Sequence, residues 1–411
     1  MVNDRMKILL IHNFHREGSS SGDDQVFISE AGLLEKHGNR VIRFTVSNDE
    51  FDAQGAVGKL VFLAGMLWSN KYYKILQQII DVEKPDIVHV HTFFPLLSPS
   101  VLYAAKRMRI PVVATLHDTR LICPCATSLR GETICNDCGD GHYFRMFRYG
   151  CFKKSRIKSL IVACIFKIHR IKKSFYDQID RYICLNDNQI RLLVSIGFDK
   201  KKIIKKYNFV PDIEIPPNAG VTDDIPERFV CVFGRIGVEK GISFLMRAWD
   251  GIEDIPLVVV GGGPEEKSFG EWAKKKKNVY YLGYKKHDSC LNIVNRSAFI
   301  VFPSIWYEGC SMVQVEAMSL GKAIIATDLG FSSESVSEGY NGYKFQLGDI
   351  LGFTNCVRKL WNDPEKCLEM GKNARKEYER KYEPESNYRQ IMECYKGLLG
   401  QDQKDSRCCK G

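Results

Sequence analysis

The sequence predicts an α/β protein of two doubly wound parallel-sheet domains that face a central cleft. Three observations lead there. Short apolar runs alternate with amphipathic stretches along almost the whole chain, the pattern of repeated strand–helix–strand units. The alternation stops at a proline-rich, polar segment near the middle and then begins again. Finally, 411 residues exceed what one ordinary core holds, so two to three domains are expected.

In the first half the strands are expected at Lys7–Ile11, Arg40–Phe44, Asp86–Val90, Val112–Thr115 and Arg181–Leu185. Helical periodicity lies between them, as at Val26–His37 and Tyr72–Glu83. Residues 1–209 form the first domain, with a cysteine-rich insertion at 119–152. Residues 210–228, with Pro211, Pro216, Pro217 and Pro226, read as a linker. The second domain, 229–382, restarts with Phe229–Phe233, Leu257–Val260, Val279–Leu282, Ala298–Phe302 and Ala323–Ala326. Glu365–Leu399 is charged and helical in pattern. Residues 383–411 form a C-terminal helix returning to the first domain, followed by a fraying tail.

Composition narrows the classes of function. The 45% hydrophobic and 26% charged content is ordinary for a globular protein. The first thirteen residues hold a four-residue apolar run, too short for a signal peptide. The longest clean apolar run, Leu160–Phe166, falls far short of the roughly 20 residues needed to cross a bilayer. A cytoplasmic protein is expected, peripheral at most on the inner face of the plasma membrane. Most of the fifteen cysteines stand singly in apolar segments, as reduced thiols do. Of the net charge of +10, the stretch Arg145–Lys206 carries more than all, with 17 Lys or Arg against four Asp. Such a stripe points to an anionic partner.

The chemistry concentrates in the second half. Phe302–Gly321 reads as a strand end, a turn and a helix beginning near Ser311. Ligands of open α/β sheets bind beyond the carboxyl ends of the strands, where this turn lies. Glu308 precedes the helix and Glu316 sits on it. Gly309, Cys310, Ser311 and Met312 offer free backbone N–H groups, a cradle for a diphosphate. A capped helix with two incidental glutamates has the same look. Val232–Lys240 is a second strand–glycine–helix turn, whose Arg235 and Lys240 suit phosphate oxygens. A solvated charged loop is the plain alternative. Gly261-Gly262-Gly263-Pro264 forms a third turn.

Together these segments resemble the retaining glycosyltransferases of family 4, which have the GT-B fold. The resemblance rests on G-R-x-x-x-x-K-G from Gly234, the G-x-G-P turn, P-S-x-W-Y-E ending at Glu308, and E-A-M-x-x-G-x-x-x-x-A from Glu316. In the first half, M-K-I-L-L-I-H-N, Gly22-Asp23-Asp24, T-L-H-D with His117, R-Y-I-C-L-N and K-Y-N-F-V-P fit as well. The resemblance implies that Arg235 and Lys240 bind the donor diphosphate. Glu308 would contact the transferred sugar, Glu316 the ribose, and Gly309 to Met312 the phosphate or sugar. Gly22 and Gly234 would lie against the donor, and His117 across the cleft near the sugar. A core histidine at a strand end is the alternative for His117. Asp23 departs from the pattern, standing where the family has a second glycine. The chain has no D-x-D triplet, so Arg235, Lys240 and helix dipoles would balance the leaving charge without a catalytic metal. The expected acceptor is a glycan or a polyprenyl-diphosphate-linked sugar, in capsule or O-antigen assembly.

Cys123, Cys135, Cys138 and Cys151, with Cys125 beside them, could hold a structural zinc that pins the insertion, or remain unligated thiols. No nucleic-acid partner is expected, because no recognition helix or aromatic platform accompanies the cluster. The basic residues around Leu160–Phe166 suit an anionic membrane surface, with a buried helix of the first domain as the alternative. An epimerase or hydrolase of the same fold, or a non-catalytic binding module, are the competing functions.

Overall fold

The computed structural model describes residues 5–15, 21–52, 64–215 and 224–408. Its backbone is organised by two six-stranded sheets, each parallel throughout. The first comprises β1 (Lys7–Phe14), β2 (Arg40–Ser47), β3 (Ile87–Thr92), β4 (Val112–Leu116), β7 (Arg181–Cys184) and β8 (Ile203–Lys205), in the order β2-β1-β3-β4-β7-β8. The second comprises β9 (Val230–Phe233), β10 (Leu257–Val260), β11 (Val279–Tyr281), β12 (Phe299–Phe302), β13 (Ile324–Thr327) and β14 (Gly342–Phe345), in the order β11-β10-β9-β12-β13-β14. Between β4 and β7 an antiparallel hairpin of β5 (Leu129–Arg130) and β6 (Thr133–Ile134) forms in the cysteine-rich segment.

The central strands are continuous apolar runs because helices cover both faces of each sheet, whereas the edge strand β2 is largely exposed or half-buried. Every residue of β9, β10, β12 and β13 is buried. In both sheets the order reverses beside the first strand, β1 or β9, and the crevice at such a reversal is where doubly wound sheets take ligands. β8, β14 and the hairpin lie outside the expected strands: lysines surround the two isoleucines of β8, and β14 carries Gly342 and Lys344. The charged C-terminal stretch is two helices, Pro364–Lys381 and Pro384–Cys408, divided where Pro384 cannot continue the first. Ile391, Tyr395 and Leu398 of the last helix pack with Ile8, Leu10, Phe27 and Ile183 of the first sheet layer. The final helix therefore ties the end of the chain to its beginning.

The helix Arg156–Ile171 corrects the expectation for Leu160–Phe166. Val162, Ala163, Ile165 and Phe166 are buried in the first core, with Phe94, Phe175 and Met146. From Ile161 onward the apolar run is thus turned toward the core rather than free to face a membrane. A different apolar stripe of the same helix is exposed: Ile157, Leu160, Ile168 and Ile171.

Candidate active site

The carboxyl ends of β9 and β12 bring the two predicted constellations together. β9 ends at Phe233, and Gly234 follows with φ +113°, a conformation that favours glycine. The glycine turn after β10 braces this loop from behind. A side chain on Gly261 would begin 1.8 Å from the Gly234 carbonyl oxygen, and one on Gly263 2.4 Å from that of Ile236. The loop is also tied to the turn after β12, because the Glu239 carbonyl accepts from the backbone of Ile305 and the hydroxyl of Ser304.

Across that junction Lys240 Nζ lies 2.6 Å from Glu308 Oε1, and the Ser304 hydroxyl donates to the same oxygen at 3.0 Å. Glu308 is buried, and the Lys240 ammonium is fenced by the rings of Phe302 and Trp306 at 5.5 and 5.4 Å. An ammonium has three donors, so its bond to Glu308 leaves two for phosphate oxygens. Glu308 Oε2 is likewise left to accept from a hydroxyl. Arg235 is the more exposed cation and meets Glu239 at 3.3 Å. It does not share the Lys240–Glu308 pair.

Ser311 caps the helix Met312–Ser319, its hydroxyl accepting from Gln314 N, as the sequence anticipated. Gly22 opens the helix Gly22–Lys36 of the first domain, and a side chain there would begin 3.7 Å from Met312 Cγ. Two helix starts, one from each domain, thus meet across the cleft. Glu316 lies one turn into the second, near the imidazole of His287 at 3.7 Å. Burial pushes its carboxyl up to about 7.

The domains touch at Glu308–Gly309. The Asn186 amide donates to the carbonyls of Glu308 at 2.8 Å and Gly309 at 2.6 Å, while a side chain on Gly309 would begin 2.8 Å from the His117 carbonyl. Cys310, beside this seam, is buried, and burial pushes its thiol up to about 12. His117 follows β4 and lines a cavity of about 40 Å³ with Phe94, Arg120 and His91. Burial lowers the ring's pKa to about 4, against the pull of Asp23, Glu30 and Asp118. Asp23, the departure in the glycine loop, accepts from the Ser21 hydroxyl. Burial would raise its carboxyl, but His117, His15 and Ser21 together hold it below the ordinary value. Its neighbour Asp24 accepts from His12 at 2.7 Å. Asn186, Ser304, Trp306, Glu30 and His91 belong to this neighbourhood and were not singled out from the sequence. Only the V-H-V-H alternation of β3, with two histidines on one face, could have drawn attention to His91.

The cysteines of the insertion share one region. Cys135 N donates to the Ser128 carbonyl at 2.8 Å through the hairpin, and Cys138 is buried. Bonds from the Cys125 thiol and from backbone N–H groups lower the Cys123 thiol, while the same bond and burial raise that of Cys125. Burial pushes Cys138 up to about 12 and raises Cys135 and Cys151. Among the described residues no three of these sulfurs lie within 4.8 Å of one another; the one group that meets that distance is Glu30, His89 and His91.

Comparisons with known proteins bear on the family and the fold. The model of Glycosyltransferase Family 4 matches residues 25–212, and that of Glycosyl transferases group 1 matches residues 222–377, meeting near the linker. An uncharacterized glycosyltransferase of Methanocaldococcus jannaschii, MJ1178, is 27% identical over 338 residues, 81% of this chain and 82% of its own. The N-acetyl-alpha-D-glucosaminyl L-malate synthase of Bacillus anthracis is 24% identical, covering 80% and 78%. The capsular polysaccharide biosynthesis glycosyltransferase CapM of Staphylococcus aureus is 27% identical over 59% of this chain and 64% of its own. Among solved structures, sucrose-phosphate synthase of Thermosynechococcus elongatus superposes with a TM-score of 0.69 at 17% identity, over 97% of this chain and all of the other. Anabaena HepE in complex with UDP-glucose does so with 0.64 at 18% identity, over 96% and 100%. With both domain models matched in order and the architecture shared end to end, the chain belongs to the family 4 glycosyltransferases and has their GT-B fold.

Proposed function

We propose that this glycosyltransferase moves a sugar, with retention of configuration and without a catalytic metal, from a nucleotide diphosphate to a glycan or polyprenyl-diphosphate-linked acceptor in surface-polysaccharide assembly. The observation that carries the reading is the Lys240–Glu308 pair, set between the helix start at Ser311 and the exposed Arg235. Two cations and a helix N-terminus stabilise a leaving diphosphate, and the buried carboxylate holds sugar hydroxyls beside it. The developing phosphate charge takes the proton of the attacking hydroxyl on the same face. Glu316 receives the ribose hydroxyls. The UDP-glucose complex of HepE and the capsular role of CapM support the donor class and the pathway type.

The acceptor reading draws on the exposed stripe Ile157, Leu160, Ile168 and Ile171, with Phe144, Phe147 and Tyr149 exposed nearby. Lys153, Lys154, Arg156, Lys158, Lys172 and Lys173 surround it. That composition suits the inner leaflet, where a lipid-linked acceptor is presented, and a cytoplasmic enzyme docked there. For the insertion that precedes this helix the proposal is a structural zinc held by Cys123, Cys135, Cys138 and Cys151, whose sulfurs would have to close in from their present spacing to bind it.

A panel of nucleotide sugars, screened by thermal shift, selects the donor; transfer and the anomeric configuration of the product are then read by NMR. Arg235→Ala, Lys240→Ala and Glu308→Ala should each fold and lose about 10²–10³ in rate. Three folded variants with near-wild-type turnover overturn the assignment, as would an inverted product for the retaining step. Transfer is expected to persist in EDTA.

A further inference from the structure

Beneath His117 runs a buried chain of polar groups that the donor site does not use. Glu30, on the helix Gly22–Lys36, and Lys206, just after β8, are each 1% exposed and paired at 2.8 Å. Lys206 also donates to the Asn387 side chain of the final helix at 3.2 Å. The other Glu30 oxygen, Oε1, lies 3.0 Å from His91 Nε2, and His91 Nδ1 lies 3.0 Å from His117 Nε2. His89 closes the cluster, 3.3 Å from the same Glu30 oxygen, 2.7 Å from the Tyr395 hydroxyl and 2.8 Å from that of Thr115. By distance alone Glu30, His89 and His91 could hold a metal ion. The Lys206 ammonium already stands on that carboxylate as its cation, so a dication has no reason to enter.

The proton positions follow from the partners. Burial would raise Glu30, but Lys206, His91 and His89 outweigh it and hold the carboxyl well below its ordinary range. Burial keeps His91 neutral by lowering it well below the ordinary imidazole value. A carboxylate only accepts, so the single proton of His91 must sit on Nε2, and Nδ1 is then an acceptor. His117 must therefore donate from Nε2. That leaves Nδ1 of His117 as a lone pair, on a residue that lines a small cavity and whose carbonyl meets Gly309 of the second domain.

We infer that Glu30 and His91 are positioning residues that lock His117 in its Nε2–H tautomer, so that it meets the donor sugar as a hydrogen-bond acceptor for a hydroxyl. The inference rests on the transferase reading for its ligand and on the buried chain for its geometry. A buried ion pair is a poor source of stability, because desolvation offsets its attraction, but an oriented carboxylate fixes a tautomer through one intervening imidazole. Lys206 supplies the charge that keeps Glu30 ionised inside the domain.

The test is made on the full chain labelled with nitrogen-15 in its histidines. Two-bond proton–nitrogen spectra distinguish protonated from unprotonated ring nitrogens, and His117→Asn assigns the His117 signals. The wild type should show His117 as the Nε2–H form, unchanged between pH 6 and 8. His91→Phe should give a tautomer mixture and a kcat lower by about 10–100-fold, with the donor KM within about twofold. His91→Gln, whose amide can donate to Glu30 and accept from His117, should recover the single tautomer and much of the rate. The joint change Glu30→Gln with Lys206→Met removes the pair without stranding a charge, and should loosen the tautomer as His91→Phe does. A wild-type His117 protonated on Nδ1, or a His91→Phe variant that keeps tautomer and rate, overturns the inference. A locked Nε2–H tautomer in a protein that transfers no sugar overturns the transferase reading and leaves the lock standing.

Discussion

The carbonyl oxygen of His117, in the first domain, lies 2.8 Å from the point where a side chain on Gly309 of the second would begin. The two candidate half-sites are thus joined by backbone, at the residue that follows Glu308. Asn186 reinforces the seam by donating to the carbonyls on both sides of that residue. No rotamer of a larger residue relieves a Cβ so placed, since the clash is with the main chain.

Gly309→Ala is therefore expected to part the domains at this seam while sparing each core. The overpacking should cost about 1–3 kcal/mol by denaturant unfolding. Transfer should fall by about tenfold or more, because a misplacement near 1 Å is enough to do so. Unchanged kcat/KM in a folded Gly309→Ala protein would show that the seam does not set the geometry of transfer.

Glu316 makes donor binding depend on pH. Its carboxyl, raised by burial to about 7, is largely protonated at pH 6 and largely ionised at pH 8. His287, at 3.7 Å, and Cys290 are the titratable groups that face it. Ribose hydroxyls donate, so the ionised form binds them better, and binding should release a proton near neutrality. Affinity should rise with pH and level off above 7, falling by about tenfold per unit well below it. Calorimetry in two buffers of different ionisation heat counts the proton, and a nucleotide sugar avoids the titration of a terminal phosphate. Glu316→Gln should bind weakly and without this dependence. A wild-type affinity that is flat from pH 6 to 8 would remove Glu316 from the ribose site.

How far the site was legible in the sequence follows from chain distance. Glu308 and Glu316 sit eight residues apart across one turn, and the strand–glycine loops of Gly234 and Gly261 are local signals, so patterns of residue type found them. Glu30 and Lys206 are separated by 176 positions, and nothing in either segment announces the other. Periodicity placed most strands within a residue or two because runs such as Leu257–Val260 are buried on both faces. It failed for Ile203–Lys205, two half-buried isoleucines set among lysines, and for Leu160–Phe166. That run has the same composition whether it faces lipid or a core, and contacts with Phe94 and Phe175 decided for the core.

The cysteine insertion should carry one zinc per chain. Three of the four proposed ligands have thiols raised by burial, so metal binding would release protons and draw the sulfurs to about 3.8 Å apart, the spacing of tetrahedral Zn–S bonds near 2.3 Å. Elemental analysis of natively purified protein should find about one equivalent, and Cys135→Ser with Cys138→Ser should lose it along with stability of the hairpin. Metal-free protein of full stability and activity would show the thiols to be unligated. Catalysis that persists in EDTA would not, because a closed site exchanges slowly.

Membrane docking is the last expectation, and the structure changes which residues should carry it. The helix Arg156–Ile171 turns Val162, Ile165 and Phe166 into the core, so they cannot insert without unfolding it. Ile157 and Ile171, 72% and 70% exposed, stand at the two ends of the opposite stripe, and basic residues flank both. Each basic side chain near an anionic surface contributes about 1 kcal/mol, and the shallow stripe adds apolar area. Flotation with anionic liposomes should recover the protein at low salt and release it as salt rises. Ile157→Asn with Ile171→Asn, which removes apolar area without adding charge, should weaken binding, whereas charge alone would spare that pair and respond only to Lys153→Glu with Lys172→Glu. Because all four side chains are exposed, neither variant should unfold. Equal recovery of wild type and both variants in the unbound fraction, with acidic vesicles at low salt, would end the docking proposal and leave the transferase assignment intact.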